Sequence, residues 1–349
     1  MEEFTPDFSN VVLAARNITP KRTPLYEHGI STSVMEEIMN RKFRDLYHGN
    51  KDDKREYFRN HNQFFKLMGY DTVSFERCIG PVMPGSGALG SNKPGVIKNR
   101  EDFEKYPWEE IPDLYFKAYS EDFELLGETM PPGMKAIGGV GYGVFENVQD
   151  LVGYMELCYI SYDDPELYKD LFIAVGNVMY RIWEKFLKLY GDTFCVLRFG
   201  DDLGFKSNTL IPAEDIRKHI IPQYKRLIEL VHSYNKPFLL HSCGHIFDVM
   251  EDLINEAKID AKHSNEDQIA PFSVWVDKYG DRIGNFGGVD TDHLCRKSEE
   301  EIKEITREVM AYSVGHGGFA IGSGNSIPDY VSVPGYLAMI EAARDFRGE

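Results

Sequence analysis

Short segments of strand-like composition alternate along the chain with longer amphipathic segments. The short segments have about the length of a β-strand, and nearly all of them end in polar or titratable residues. They span residues 23–28, 71–78, 135–141, 194–202, 238–244, 260–266, 283–290 and 319–325. We predict a β-strand in each of these eight segments.

The longer segments between them predict helices. In residues 165–190, Leu171, Val175 and Val178 recur at three- and four-residue steps, which places them on one face of a helix. Residues 298–312 open with Ser298 followed by three glutamates, which is the pattern of a capped helix start.

Eight strand-then-helix units are typical of a (β/α)8 barrel of the TIM type. We therefore predict one α/β barrel domain over residues 1–349, with residues 1–22 as an N-terminal helical extension. An open doubly wound sheet is the main alternative, but the first strand–helix turn carries no Gly-x-Gly-x-x-Gly fingerprint. The Gly- and Pro-rich residues 80–95 predict a long loop over the mouth of the barrel.

The charge balance narrows the choice of partners. Acidic residues number 56 and basic residues 39, which gives a net charge of −17. Such a surface repels nucleic acids and anionic membranes, so we predict neither as a partner. No stretch approaches the roughly 18 apolar residues of a membrane span, and the first residues lack a signal-peptide pattern. Five scattered cysteines fit free thiols in a reducing compartment, so we predict a cytoplasmic protein.

Two common enzyme motifs are missing from the sequence. No serine lies in a Gly-x-Ser-x-Gly elbow, and no glycine-rich loop leads into Lys-Ser or Lys-Thr. These absences argue against a hydrolase of the nucleophile-elbow type and against a P-loop nucleotide triphosphatase.

Polar side chains gather at the predicted strand ends. In a barrel, the loops at the carboxyl ends of the strands meet around one axis, and reactive groups lie there. The candidate residues at these ends are Glu27, His28, Glu76, Tyr142, Asp201, Asp202, His241, Cys243, His263, Glu266, Asp290 and Asn325. Each one alone is also explained as a helix cap or a surface polar group. Together they predict a polar, acidic pocket with possible metal ligands.

The most informative of these ends is the run Phe-Leu-Leu-His-Ser-Cys-Gly-His at residues 238–245. Side chains alternate faces along a strand, so His241 and Cys243 are expected to point the same way. An imidazole and a thiolate side by side form half of a zinc site. The alternative is a core histidine beside an inert buried thiol.

Several of these runs, taken in chain order, resemble the uroporphyrinogen decarboxylase superfamily. The matching runs are Asp164-Pro165-Glu166, Asp201-Asp202-Leu203-Gly204, His241-Ser242-Cys243-Gly244, Gly287-Gly288-Val289-Asp290 and residues 321–330. The resemblance covers the chain from about residue 65 to its end. It implies a TIM-type barrel that commonly forms a homodimer.

One branch of that superfamily contains the true decarboxylases, which need no metal or other cofactor. The resemblance places their early carboxylate at Glu76 and their late histidine at Asn325. Their N-terminal motif carries two arginines that hold an acidic tetrapyrrole, whereas residues 24–32 here contain none. A substrate with many carboxylates needs cationic partners, so this activity fits the sequence less well.

The other branch contains corrinoid-dependent methyltransferases, in which a His-x-Cys pair and a later cysteine bind zinc. The resemblance places the pair at His241 and Cys243, but the later cysteine position is Asn325. A zinc ion here would need another third ligand, because two of three remain. The candidates for that ligand are His263, Glu266 and Glu27, together with Glu76 and Asp202.

We therefore predict a zinc-dependent methyltransferase that moves a methyl group between a small O-, N- or S-methylated compound and a corrinoid carried by a partner protein. Glu76 or Asp202 is the predicted catalytic acid for the leaving group. The predicted substrate-binding residues are His28, Tyr142, Asp201, Asp290 and Asn325. The alternatives are a metal-free decarboxylase of a tetrapyrrole or small carboxylate, and a non-catalytic barrel that binds a corrinoid or tetrapyrrole.

Overall fold

Seven parallel strands form the centre of the protein in a computed structural model that describes residues 4–91 and 93–349. Each strand pairs with the next one along the chain, in the order β1 to β7. Their bounds are β1 Thr72–Cys78, β2 Lys135–Gly141, β3 Phe194–Gly200, β4 Phe238–His241, β5 Ala261–His263, β6 Gly284–Val289 and β7 Phe319–Ser323. The strands and the helices between them form a curled α/β barrel of the TIM type, which confirms the predicted fold class.

Helices precede the sheet and follow its strands. Their bounds are α1 Ser9–Ala15, α2 Thr32–Met39, α3 Lys51–Met68, α4 Arg100–Lys105, α5 Ile111–Glu128, α6 Val144–Val152, α7 Tyr154–Asp163, α8 Pro165–Tyr190, α9 Ala213–Asp215, α10 Ile221–Ser233, α11 Met250–Asp252, α12 Phe272–Tyr279, α13 Thr291–Arg296, α14 Glu299–Ser313 and α15 Val333–Arg347. Residues Ile216–Ile220 and Leu253–Ala257 are short π-helical turns. Among the described residues, no helix combines the length and the apolar character that crossing a membrane requires.

The position of an eighth strand is filled by residues 23–28. The prediction of a regular strand there is wrong, because only Leu25 makes a parallel bridge, to Ile321 of β7. Pro24 has no N–H to donate, and its carbonyl accepts from the Ile321 N–H at 3.0 Å. On the other side, the Ser74 hydroxyl of β1 donates to the His28 carbonyl at 2.6 Å. The segment therefore lies between β7 and β1 and brings His28 to the barrel mouth.

Five other predicted strands end earlier than the sequence pattern indicates. The segments 194–202, 238–244, 260–266, 283–290 and 319–325 stop being strand at residues 200, 241, 263, 289 and 323. The polar residues predicted at their tips therefore lie partly in loops, where they are free of the strict in–out alternation of a strand.

The N-terminal helical extension is confirmed by α1, which closes the amino end of the barrel; residues 1–3 of the predicted extension lie outside the described residues. Val11, Ala14 and Ala15 of α1 are fully buried. They pack against side chains that fill the barrel interior, namely Tyr26, Ile137, Val196, Leu239, Ala261, Phe286 and Ala320. With this end filled, a ligand reaches the interior only from the carboxyl ends of the strands.

A second apolar layer lies between the strands and the surrounding helices. The helix α8 confirms the predicted helix over 165–190, and Asp164 caps it by accepting from the Leu167 N–H at 2.9 Å. Its buried face includes Trp183 and Phe186, and each large side chain buried in this way stabilises the fold by about 1.5–3 kcal/mol. The predicted capped start of α14 is also present, because Ser298 and Glu301 form a reciprocal capping box.

The predicted long loop over 80–95 follows β1, and its Asn92 lies outside the described residues. The Asp150 carboxylate of α6 accepts hydrogen bonds from the N–H groups of Gly87 and Leu89, at 2.9 and 3.0 Å. The Gly95 N–H donates to the Val152 carbonyl at 2.8 Å. These hydrogen bonds hold the loop against α6 beside the barrel mouth.

Candidate active site

A cluster of metal-binding side chains lies where β4 and β5 end. His241 and His263 are the last residues of these strands and are paired with each other in the sheet register. Cys243 follows two residues after His241, and Asp202 lies in the loop after β3. Parallel pairing brings the carboxyl ends of neighbouring strands together, which is why residues far apart in sequence meet here.

His241, Cys243 and Asp202 direct three ligand atoms towards one point. The Nε2 atom of His241 lies 3.4 Å from Sγ of Cys243 and 4.0 Å from Oδ1 of Asp202. All three atoms lie within 4.8 Å of one another. Ligands around tetrahedral zinc are separated by roughly 3.3–3.8 Å, given metal–ligand bonds of about 2.0–2.3 Å. The donor set and its spacing therefore fit zinc with a small inward movement of the carboxylate.

The thiol of Cys243 is surrounded by groups able to donate to sulfur. Asn325 Nδ2 lies 3.2 Å from Sγ, and the Ser264 hydroxyl lies 3.4 Å from it. Burial raises the pKa of the Cys243 thiol to about 12, and the Asp202 carboxylate adds to this effect. Without a bound metal ion, the thiol therefore keeps its proton, whereas a bound metal would favour the thiolate.

A second group of possible ligands is formed by His28, His241 and His263. The rings of His28 and His241 are stacked, with centroids 3.8 Å apart and an angle of 27° between their planes. A histidine binds metal in the plane of its ring, so two stacked rings do not direct their lone pairs at one ion. We therefore favour the group of His241, Cys243 and Asp202 as the metal site.

The three imidazoles are neutral in the folded protein. Burial lowers the pKa of His263 to about 3 and holds the pKa values of His28 and His241 well below the usual range. The Arg198 guanidinium adds to the lowering in all three. Neutral imidazole is the form that binds a metal ion.

A buried ion pair lies on the opposite wall of the pocket. Arg198 of β3 is fully buried and reaches across β2 to Glu76 of β1. Its Nη1 atom donates to Tyr26 and Ser74 at 2.9 Å each. Between these two residues, Gly138 of β2 must be a glycine, because a Cβ there would lie 2.0 Å from the Phe75 carbonyl oxygen and the residue has φ +134°.

Glu76 is held by the arginine but stays accessible. Arg198 occupies its Oε2 atom, while Oε1 lies 3.7 Å from Nε2 of His28. The Glu76 side chain is 19% exposed, so Oε1 can meet a ligand in the pocket. The structure thus brings Glu76, His28, His241, His263, Cys243, Asp202 and Asn325 to one pocket.

Glu146, which sequence reasoning did not select, also belongs to the mouth of the barrel. It lies in the first turn of α6, where its N–H donates to the Asp201 carboxylate at 2.8 Å. Burial raises its pKa well above the usual value, and repulsion from Asp201, Asp202 and Glu76 raises it further. The surroundings of Glu146 therefore favour its protonated, neutral form. Its position five residues past the end of β2 hid it from a search of strand ends.

Two of the candidate third ligands are not brought to the metal cluster. Glu27 faces away from the barrel interior, and its carboxylate accepts from the N–H and hydroxyl of Ser323. Strand-like alternation explains this, because neighbouring residues point to opposite faces and His28 points inward. Glu266 lies in the loop after β5 with its side chain 40% exposed, 3.4 Å from Nζ of Lys206.

Asp201 and Asp290 serve as helix caps in the structure. Asp201 is buried and accepts from the N–H groups of Phe145 and Glu146 at the start of α6. Burial raises its pKa to about 7. Asp290 accepts from the N–H groups of Asp292 and Asp267 at 2.8 and 2.7 Å.

The remaining predicted substrate residues lie around the opening. Tyr142 is half-buried, in the left-handed region with φ +59°, beside the start of the loop at Gly80. Glu266, Asp290 and Asn325 line a cavity of about 400 Å³ at the mouth. This cavity adjoins Cys243 through Asn325. Their roles in substrate binding stay predictions.

The fold and this pocket define a class of protein: an α/β barrel whose carboxyl-end opening holds a buried histidine–cysteine pair. The family model of uroporphyrinogen decarboxylase (URO-D) matches residues 10–346, and the chain belongs to this family. No curated protein sequence matches the chain.

Solved structures show the same fold at low sequence identity. A methyltransferase from Methanosarcina mazei superposes with a TM-score of 0.72 and 14% identity, over 97% of this chain and 98% of that one. A protein from Listeria monocytogenes, named as a candidate vitamin-B12-independent methionine synthase, superposes with a TM-score of 0.54 and 15% identity, over 94% of this chain and 100% of that one. At these identities the likeness establishes the fold.

Proposed function

We propose that this protein is a zinc-dependent methyltransferase that moves a methyl group between a small methylated compound and the corrinoid of a partner protein. The observation that carries the proposal is the convergence of His241 Nε2, Cys243 Sγ and Asp202 Oδ1 at the mouth of a URO-D-family barrel. The similarity of the whole fold to a methyltransferase supports the choice of methyl transfer.

His241, Cys243 and Asp202 would hold the zinc ion. Bound zinc supplies a Lewis acid that stabilises negative charge on the heteroatom of the methylated compound. Asn325 and Ser264 would donate to the thiolate of Cys243 and hold it in place.

The transfer moves one methyl group and one proton. The bond between the methyl carbon and the O, N or S atom breaks, and that heteroatom keeps the bonding electron pair. The methyl group passes without the pair to a reduced Co(I) corrinoid, which enters as the second substrate and supplies both electrons of the new carbon–cobalt bond. The heteroatom then takes a proton, and the acid we propose for this step is Glu146, whose pKa is held well above its usual value by burial and by the neighbouring carboxylates.

His28 and Glu76 would orient the methylated compound. The Nδ1 atom of His28 is buried and has no hydrogen-bond partner among the described residues. Oε1 of Glu76 is accessible, while Arg198 fixes the rest of its carboxylate. An unpaired polar atom beside a rigid carboxylate provides a donor–acceptor pair for a small polar substrate.

Decarboxylation of a tetrapyrrole is less well supported by the pocket. The arginine inside the barrel, Arg198, is fully buried and already engaged with Glu76, Tyr26 and Ser74. It is therefore not available to bind the carboxylates of a substrate. A polyanionic substrate would also meet the carboxylates of Glu76 and Asp202 at the mouth.

Metal analysis tests the proposal. We would purify the untagged protein, add zinc, remove unbound metal and measure zinc per chain. We expect about one zinc ion per wild-type chain and clear loss in His241→Ala and Cys243→Ala. Cys295→Ala is the matched control, since Cys295 is exposed and far along the chain on α13. A wild-type protein without stoichiometric zinc would overturn the proposal.

Activity is tested separately by adding a reduced corrinoid and a panel of O-, N- and S-methylated compounds. We expect corrinoid methylation with one class of donor, and its loss in Cys243→Ala. If the protein instead releases carbon dioxide from uroporphyrinogen without metal, the decarboxylase alternative replaces the proposal. Tight corrinoid binding without any turnover would favour the non-catalytic alternative.

A further inference from the structure

We infer that His263 is a positioning residue and not a zinc ligand: it fixes His241 in the tautomer that presents Nε2 to the metal. This inference rests on the proposed zinc site. The observation behind it is a continuous chain of contacts from the Ser323 carbonyl through His263 to His241.

The contacts leave a single arrangement of protons. The Nε2 atom of His263 lies 3.0 Å from the Ser323 carbonyl oxygen. A carbonyl only accepts, so Nε2 of His263 carries a proton. In a neutral imidazole the other nitrogen is then an acceptor.

The contact between His263 and His241 fixes the position of the proton on His241 in turn. The Nδ1 atoms of His263 and His241 are 2.7 Å apart, a distance that requires one proton between them. Because Nδ1 of His263 is the acceptor, Nδ1 of His241 is the donor. The lone pair of His241 is therefore on Nε2, which faces Cys243 at 3.4 Å.

Both nitrogens of His263 are used in this chain, so neither is free to bind zinc. The role resembles the general one of groups that accept from the far N–H of a metal-bound histidine, which orient the ring and raise its basicity. Here the acceptor is a second imidazole that is itself fixed by a backbone carbonyl.

The fold leaves the His263 ring little freedom. The edge of Tyr26 packs against it with ring centroids 5.0 Å apart. Gly287 of β6 provides the space that the contact with Ser323 needs. A Cβ at Gly287 would lie 3.1 Å from both the Cδ2 atom of His263 and the Ser323 carbonyl oxygen.

The first measurement uses protein without metal, so it does not depend on zinc binding. Long-range proton–nitrogen NMR of ¹⁵N-histidine-labelled protein reports which nitrogen of each ring is protonated. We expect His241 protonated on Nδ1 and His263 on Nε2, assigned by loss of signals in His241→Gln and His263→Asn. A His241 ring protonated on Nε2 would overturn the inference, even in a protein that binds zinc.

The second measurement compares zinc affinity by competition with a chromogenic chelator. His263→Phe keeps an aromatic ring but removes the acceptor, and we expect zinc to bind about 10–100-fold more weakly. His263→Asn places an acceptor oxygen near the position of Nδ1, and we expect it to recover most of the affinity. His219→Asn is the control, since that histidine lies in a π-helical turn outside the barrel.

Cobalt(II) substitution separates positioning from ligation. We expect His263→Phe to keep the thiolate-to-cobalt charge-transfer band and tetrahedral spectrum of the wild type, because the three ligands remain. A change to a spectrum with one nitrogen ligand fewer would show that His263 binds the metal and would overturn the inference. Wild-type zinc affinity in His263→Phe would overturn it as well. If the wild-type protein binds no zinc, the proposed function is contradicted. In that case the NMR measurement of the two tautomers still tests whether His263 fixes the tautomer of His241.

Discussion

Arg198 of β3 and Glu76 of β1 form an ion pair that spans β2, with Nε and Nη2 of the arginine 3.1 and 2.8 Å from Oε2 of the glutamate. The arginine is fully buried, and the glutamate is its only ionic partner among the described residues. The pair therefore has two consequences: it fixes the carboxylate that faces the pocket, and it places a charge where an unpaired ion is costly.

We expect Arg198→Met to destabilise the protein by about 3 kcal/mol or more, because it leaves Glu76 without its buried partner. Urea unfolding measures the free energy of unfolding. Arg181→Met is the control, because the pair of Arg181 with Glu109 is exposed and contributes about 0–1 kcal/mol. We expect the double variant Arg198→Met with Glu76→Gln to recover part of the loss. If Arg198→Met and the control Arg181→Met had the same free energy of unfolding, a structural role for the buried pair would be contradicted.

Asp202 is the proposed third zinc ligand, and we expect Asp202→Asn to weaken zinc binding by more than about tenfold. Glu266→Gln is a matched control, because the two side chains are 42% and 40% exposed and Glu266 lies outside the cluster. Chelator competition on the folded variants measures both affinities. If Glu266→Gln weakened binding and Asp202→Asn did not, the third ligand would come from the loop after β5.

Much of the site could be predicted from the sequence because parallel strands bring their carboxyl ends together. This reasoning placed His241 and Cys243 correctly beside each other, and it placed His28 and Glu76 in the same pocket. It required only the strand order and the alternation of side chains.

The strand bounds were predicted wrongly for a physical reason: the exact end of each strand is not encoded in the apolar pattern. Residues 23–28 follow the barrel without forming a ladder, and the alternation there sends Glu27 outward. Glu146 was missed because it lies five residues past the end of β2, beyond the strand ends from which the candidates were chosen. Only the packed structure shows that three other carboxylates surround it.

Glu146 is proposed to supply the proton for the leaving group, and we expect Glu146→Gln to slow methyl transfer by about 10²–10⁴-fold. Glutamine keeps the size of the side chain but has no acidic proton to give, and zinc affinity is expected to stay unchanged because Glu146 lies outside the metal cluster. The control is Glu156→Gln, at a half-buried position in the first turn of α7. A rate like that of the wild type, measured as single-turnover corrinoid methylation, would assign the proton to another group.

Glu27 gives the stability of the protein a specific dependence on pH. Burial raises its pKa from 4.5 to about 8, although the two hydrogen bonds from Ser323 act in the opposite direction. Below pH 4.5 both the folded and the unfolded chain hold the proton. Between pH 4.5 and about 8 only the folded chain keeps it, so the free energy of unfolding falls as pH rises, by about 1.4 kcal/mol per unit from this group.

Glu27→Gln removes this titration and keeps both contacts with Ser323, since the amide accepts from the N–H and donates to the hydroxyl. We therefore compare the free energies of unfolding of Glu27→Gln and the wild type, both measured by urea unfolding. We expect the value for Glu27→Gln minus that for the wild type to rise by on the order of 3 kcal/mol between about pH 5 and about pH 7.5. Glu124→Gln, at an exposed position on α5, is the control for the substitution itself. A difference between Glu27→Gln and wild type that stays constant over this range would show that Glu27 is ionised in the folded protein, because only a proton held by the folded state alone produces the slope.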